Sequence, residues 1–162
     1  MANSSPATSA DERTRPLALG TWVVNCDGAS RGNPGEASIG CVIRDPAGEI
    51  RRRVAKRLGW ATNNEAEYEA TIAGLQAARE LGARHVELRL DSELIVRQLE
   101  GRYRVRKAEL RPRFERVMSL IREFDTFAVR HVRREQNREA DALANLALDG
   151  FPPDAHDSAP EG

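Results

Sequence analysis

TWVVNCDGASRGNPGEASIGCVIRDPAGEIRRRVAKRLG, residues 21–59, carries the reading on which the fold class turns. TWVVNCDGA is rich in β-branched and aromatic residues and predicts a first strand ending at Gly28. EASIGCVIRDPAGEIRRRVAKRLG predicts two more strands joined by a turn at Asp45–Pro46–Ala47–Gly48. Downstream the apolar period changes. After Thr62 and Asn63, residues Ala66, Ala70, Ala73, Ala77 and Leu81 recur at spacings of 4, 3, 4 and 4, which predicts a helix stopped by Gly82. Val86, Leu88 and Leu90 alternate with polar residues as in a fourth strand, and DSELIVRQLEG follows as a short helix capped by Asp91 or Ser92. A helix is expected from about Ala108 to Phe124, with Pro112 tolerable near its first turn. TFAVRHV reads as a fifth strand, and EQNREADALANLAL as a last helix with Ala140, Leu143, Ala144 and Ala147 on one face. The order β-β-β-α-β-α-α-β-α sets a hairpin unit before a βαβαβ portion, so the class is α/β: a mixed sheet flanked by helices, its edges expected from the hairpin.

At 162 residues the chain has room for one ordinary domain with a core of its own. Residues 1–18 and 151–162 lack periodicity and are rich in Ala, Ser and Pro, so both are expected as disordered tails around a domain spanning 19–150. Cys26 and Cys41 stand singly in apolar runs, without zinc spacing, and are expected as buried reduced thiols. No run approaches the roughly 18 apolar residues of a membrane span, and no apolar signal region opens the chain. A cytoplasmic monomer is the expectation. The formal net charge is zero, but residues 101–138 hold 12 Lys and Arg against 5 Asp and Glu, while 139–162 hold 6 acids and no Lys or Arg. The basic stretch suits phosphates locally and equally suits a solvated Arg-rich face.

Four acids stand where a metal site could assemble. Asp27 is placed at the end of the first strand, Asp91 at the end of the fourth, Glu67 in the first turns of the long helix, and Asp141 in the last helix. If the two strands are parallel, both point their C-termini at the edge where open α/β sheets bind ligands. An all-oxygen set from four separate elements suits Mg²⁺. Each acid also has a plainer reading, Asp91 as a helix cap and Glu67 as a surface residue.

The segments around these acids, DGASRGNPG at 27–35, TNNEAEYEA at 62–70, LDSELIVRQL at 90–99 and REQNREADALAN at 134–145, together resemble the four motifs of the type 1 ribonuclease H family. The resemblance spans about Trp22 to Leu148. It implies a ribonuclease H-like fold with a five-stranded sheet in the order 3-2-1-4-5, strand two antiparallel to the rest. It implies that Asp27, Glu67, Asp91 and Asp141 are both the catalytic residues and the ligands of two Mg²⁺ ions, for which Mn²⁺ can substitute. The implied reaction is hydrolysis of the RNA strand of an RNA–DNA hybrid, leaving 5′-phosphate and 3′-hydroxyl ends. Asn33, Asn63 and Asn64 match positions that contact the hybrid in its minor groove, where short amides suit 2′-hydroxyls. Thr62 matches a position that helps hold a DNA-strand phosphate, and Gln98 is a further candidate contact.

Two departures stand out. Many members carry a loop histidine just before the last aspartate, whereas HVRREQNREAD has none between His131 and Asp141. His131 is expected as a structural strand residue, with Arg133 or Arg134 substituting electrostatically as in the shorter-loop branch. The long basic protrusion of some members is also missing; Arg102, Arg104, Arg106, Lys107, Arg111 and Arg113 are its short counterpart and candidates for the DNA backbone. The rival readings are a nuclease of the same fold acting on double-stranded RNA, and a hybrid-binding module without catalysis.

Overall fold

A computed structural model describes residues 17–150; the expected tails lie outside the described residues but for 17 and 18. Strands β1 (Thr21–Arg31), β2 (Gly35–Arg44) and β3 (Ile50–Ala61) come first, then helix α1 (Asn63–Glu80), β4 (His85–Leu90), α2 (Glu93–Leu99), α3 (Arg111–Ile121), β5 (Thr126–His131) and α4 (Arg138–Leu148). They form one sheet ordered β3-β2-β1-β4-β5. β2 runs antiparallel to both its neighbours, and β4 is parallel to β1 and β5. The order and the sense of β2 are those the resemblance implies.

Helices cover both faces. Gly40 and Cys41 are neighbours on β2 and point opposite ways: Gly40 abuts Ala140 and Ala144 of α4, while Cys41 lies near Gly74 of α1. The main core fills the α1 side, where Val24, Ile39, Ile43, Leu75, Leu88 and Leu120 are buried together. Cys26 and Cys41 are buried there as free thiols, facing each other in the β1–β2 register, and burial pushes the Cys26 thiol up.

Several sequence expectations need correction. β1 does not stop at Gly28. It continues to Arg31 because β2 goes on pairing with it as far as Arg31 opposite Glu36, so Asp27 is a mid-strand residue. Its pairing with β4, however, ends at Asn25 opposite Arg89, and Asp27 therefore still stands beyond the parallel part of the sheet. Only one edge, β3, comes from the hairpin; β5 is the other. α3 begins at Arg111, with Pro112 in its first turn, and its C-terminal end tightens into i→i+3 bonds from Glu123 to Leu120 and from Phe124 to Ile121. EQN does not join α4 but lies in a 3-10 turn over Arg134–Asn137. Ser92, not Asp91, caps α2, its hydroxyl accepting from the Ile95 N–H. Asp91 is thereby left for another task. His131 closes β5 and is exposed, so it holds no place in the core. Among the described residues no helix is long and apolar enough to cross a membrane.

Candidate metal centre and nucleic-acid interface

Asp27, Glu67 and Asp91 offer carboxylate oxygens that all lie within 4.8 Å of one another. Two glycines let the helices come close enough to build the site. A Cβ on Gly28 would stand 2.2 Å from the Ala66 carbonyl carbon and 2.5 Å from the Glu67 nitrogen, so β1 and α1 touch backbone to backbone there. The Gly28 N–H donates to the Glu67 carboxylate. A Cβ on Gly40, which pairs with Asp27 across the hairpin, would stand 2.1 Å from the Ala140 carbonyl oxygen. That contact brings α4, and with it Asp141, against the other side of Asp27. Asp141 lies outside the three-residue cluster but is close enough to Asp27 to help push that carboxyl up.

The acids are held against their own repulsion. Burial, then the charges of Glu67 and Asp91, push the Asp27 carboxyl up to about 9. Burial first, with Asp91 next, pushes Glu67 up to about 8 against the opposing Gly28 hydrogen bond. Asp91 is also raised by burial, while the Arg134 guanidinium pulls it the other way. Glu67 Oε1 is buried and has no hydrogen-bond partner among the described residues. A buried acceptor without a donor costs about 1–3 kcal/mol, more when charged. Clustered carboxylates around an orphaned oxygen fit a hard divalent cation, and any such cation would displace the protons that burial favours.

A buried amide pair anchors the segment that carries Arg134 and Asp141. Asn25 Nδ2 donates to Asn137 Oδ1 at 3.0 Å, and Asn137 Nδ2 donates to the Cys26 carbonyl at 2.8 Å. Both residues are buried on or beside β1. Sequence reasoning passed over them; the one signal was Asn137 inside QNREAD, read there as motif context. It also missed Arg138, which with Arg134, Glu135 and Asp141 lines a shallow cavity of about 350 Å³. Arg133 is exposed, and its N–H donates to Gln136 Oε1.

The expected substrate residues gather at the start of α1. Thr62 is its N-cap: its hydroxyl oxygen accepts from the Glu65 N–H at 3.1 Å, and the Glu65 carboxylate accepts from the Thr62 N–H at 2.9 Å. The hydroxyl proton remains to be donated. Asn33, at φ 46 in the left-handed region, uses its side-chain oxygen to accept from the Asn63 N–H at 2.9 Å. The GNPG turn and the helix start are thus fastened together, which leaves the Asn33 amide group to face outward as a donor. Asn64 lines a groove of about 520 Å³ with Leu94, Tyr103, Arg104, Arg106 and Lys107. Gln98 reaches that groove too but is buried, with its side-chain oxygen accepting from the Tyr68 hydroxyl at 2.5 Å. Arg113, expected on the DNA backbone, is instead engaged with Glu69 at 2.8 Å.

A carboxylate cluster just beyond the parallel part of a sheet in this order defines the ribonuclease H type of fold, and comparisons agree with that class. The family model described as "Reverse transcriptase-like" matches residues 25–147. The chain is 46% identical over 123 residues to "Ribonuclease HI" of Halobacterium salinarum, covering 76% of this chain and 62% of that protein. The crystal structure of RNase H1 from Halobacterium salinarum NRC-1 matches with a TM-score of 0.79 and 44% identity, over 82% of this chain and all of the other. LC11-RNase H1, solved in complex with an RNA/DNA hybrid, matches with a TM-score of 0.74 and 39% identity, over 79% of this chain and 96% of that one. The chain belongs to the type 1 ribonuclease H family. It spans 62% of the length of the curated Halobacterium relative.

Proposed function

We propose that the chain is a ribonuclease H, an endonuclease that hydrolyses the RNA strand of RNA–DNA hybrids with two Mg²⁺ ions and leaves 5′-phosphate and 3′-hydroxyl ends. The observation that carries this reading is the convergence of Asp27, Glu67 and Asp91 within 4.8 Å around the orphaned Glu67 oxygen. Asp27, Glu67, Asp91 and Asp141 would hold the ions, with Mn²⁺ an acceptable substitute. Such ions, when bound, acidify an attacking water and stabilise the departing oxygen.

The chain's own groups do the rest. Asn33 and Asn63, fastened together, present amides to 2′-hydroxyls, the feature that separates RNA from DNA. The Thr62 hydroxyl, at a helix N-terminus, can donate to a phosphate of the DNA strand. Asn64 and the Arg104, Arg106 and Lys107 side chains of the groove supply a basic wall for the same strand. Gln98 orients from beneath that wall. Arg134, beside Asp91, supplies positive charge where other members place a histidine, with Arg133 as the exposed neighbour. That an LC11-RNase H1 was solved with an RNA/DNA hybrid supports the choice of substrate. We further take residues 19–150 as the catalytic domain, acting as a cytoplasmic monomer in which the paired thiols stay reduced.

The test is cleavage of a labelled RNA–DNA hybrid, run beside double-stranded RNA, single-stranded RNA and DNA duplex, with Mg²⁺, Mn²⁺ or EDTA. Cleavage confined to the RNA of the hybrid and abolished by EDTA is the expected result. Comparable cleavage of double-stranded RNA would favour the broader nuclease, and binding without cleavage the non-catalytic module. Cleavage that persists in EDTA would refute the metal mechanism.

A further inference from the structure

Edge strand β3 bears a feature that the candidate site does not use. Arg53, Lys56 and Arg57 are exposed, and their side chains make no hydrogen bond or ion pair among the described residues. Their neighbours differ: Arg51 stacks over Trp22 and reaches Asp45, and Arg52 pairs with Glu80. Trp60, near the end of the same strand, is 72% exposed. A large aromatic left in solvent beside unpaired cations is the surface composition that single-stranded and duplex nucleic acids select.

The register decides which of these groups act together. Arg53 pairs with Val42 and Arg57 with Ser38, while Lys56 pairs with Ile39 on the opposite face. Strict alternation from Lys56 would send Trp60 to the Lys56 side. Instead Ser38 pairs with Arg57 and Ala37 with Gly59, leaving Leu58 as an extra residue, and Gly59 takes φ 88. This bulge turns Trp60, now opposite Glu36, onto the face that carries Arg57 and Arg53. The strip is continuous with the candidate site: Trp60 stands two residues before Thr62, and the Ala61 carbonyl between them accepts from the Ser30 hydroxyl at 2.8 Å, at the base of the Asn33 turn. Glu36 is the acid in register with the strip, set against two arginines and the indole.

We propose that Arg53, Arg57 and Trp60 form an accessory binding strip for the duplex arm of the substrate that extends beyond the candidate site, the arginines on backbone phosphates and the indole on sugar or base faces. This rests on the hybrid-cleaving reading. Edge cations also deter strand-to-strand aggregation, but that role needs no exposed indole and is indifferent to which face a cation occupies. From Ala61 to Arg53 the strand covers about 26 Å at ~3.3 Å per residue, the rise of roughly eight base pairs at ~3.4 Å each. Short hybrids would therefore miss the far end.

The experiment compares full-length wild type, Trp60→Ala, the double variant Arg53→Ala/Arg57→Ala, and Lys56→Ala. Each is assayed on hybrids of about one and about two helical turns, ~10 and ~20 base pairs, and direct binding of both hybrids is followed by fluorescence anisotropy. On the long hybrid the double variant should raise KM about ten-fold and flatten the logarithmic salt slope by about two. Trp60→Ala should raise KM about five-fold. Lys56→Ala should behave as wild type, kcat should hold throughout, and on the short hybrid, which reaches Trp60 and Arg57 but not Arg53, the double variant should lose less than on the long one. Equal losses by the double variant on both lengths, or a loss for Lys56→Ala as large as for Arg53→Ala/Arg57→Ala, would overturn the strip. So would a wild-type dimer that sedimentation shows Trp60→Ala to dissolve, since the strip would then bind a second copy. Wild type that binds the long hybrid through the strip but cleaves neither hybrid would defeat the hybrid-cleaving reading alone.

Discussion

Asp27 is a residue whose worst neighbour is its own charge. Its carboxyl is buried among Glu67, Asp91 and Asp141 and titrates near 9 without a cation. Asp27→Asn should therefore stabilise the metal-free protein at pH 8, by on the order of 2 kcal/mol in urea unfolding, while reducing hybrid cleavage by about 10³-fold or more. A variant that lost stability instead would show that the acids are not in conflict. Asn137 is the opposite case. Asn137→Ala strips a partner from both Asn25 Nδ2 and the Cys26 carbonyl, and each is buried. We expect a loss of about 2 kcal/mol, together with weaker Mg²⁺ binding by calorimetry because Arg134 and Asp141 follow the amide. The motif acids were legible because they sit beside turn residues and caps whose chemistry is local. Asn25 and Asn137 were not, since a hydrogen bond between residues 112 positions apart leaves no trace in spacing.

Elements meet here through missing side chains. Gly28→Ala would drive a methyl into the α1 backbone at Ala66, where no rotamer change relieves it. The expected cost is about 3 kcal/mol, read as a lowered unfolding midpoint, with Mg²⁺ affinity falling in parallel as Glu67 moves off. Thr62→Ala removes the α1 cap and should cost about 1 kcal/mol. Every strand and α-helix was readable, because the apolar period changes cleanly between strand and helix. Their ends were less so. A glycine in a strand reads as a stop, so the sequence ends β1 at Gly28, whereas in the fold that glycine marks a close approach. The 3-10 turn at Arg134–Asn137 is indistinguishable from α4 in the sequence because both lack strand alternation. The bulge at Leu58 was invisible, because an unpaired residue shows only once β2 is laid beside β3.

At the scale of the whole molecule the shifted acids make stability depend on pH. Asp27 and Glu67 have ordinary values of 3.8 and 4.5 and are raised to about 9 and about 8 in the folded chain. Between those limits the folded state holds more protons than the unfolded one. Metal-free stability should thus be fullest below about pH 4, decline as pH rises, and level off above about pH 9. Thermal unfolding in EDTA across this range checks the sign, and a rise in stability with pH would contradict it. Mg²⁺ should reverse the trend, binding more tightly and releasing fewer protons as pH increases. The five-stranded order followed from family resemblance, not from period, since local pattern states which segments are strands but not which lie side by side.

The seam of Gly40 against Ala140 and Ala144, like that of Gly28 against Ala66, has a consequence for how such a chain can vary. Around most cores, drift in volume is absorbed by repacking, and the outermost residues are freest to change. Here the least forgiving positions are the smallest ones, pressed between backbones a few ångströms from the carboxylates. Variants selected for altered substrate preference should accumulate along the groove and the β3 edge. Libraries that enlarge these glycines and alanines should return almost no survivors.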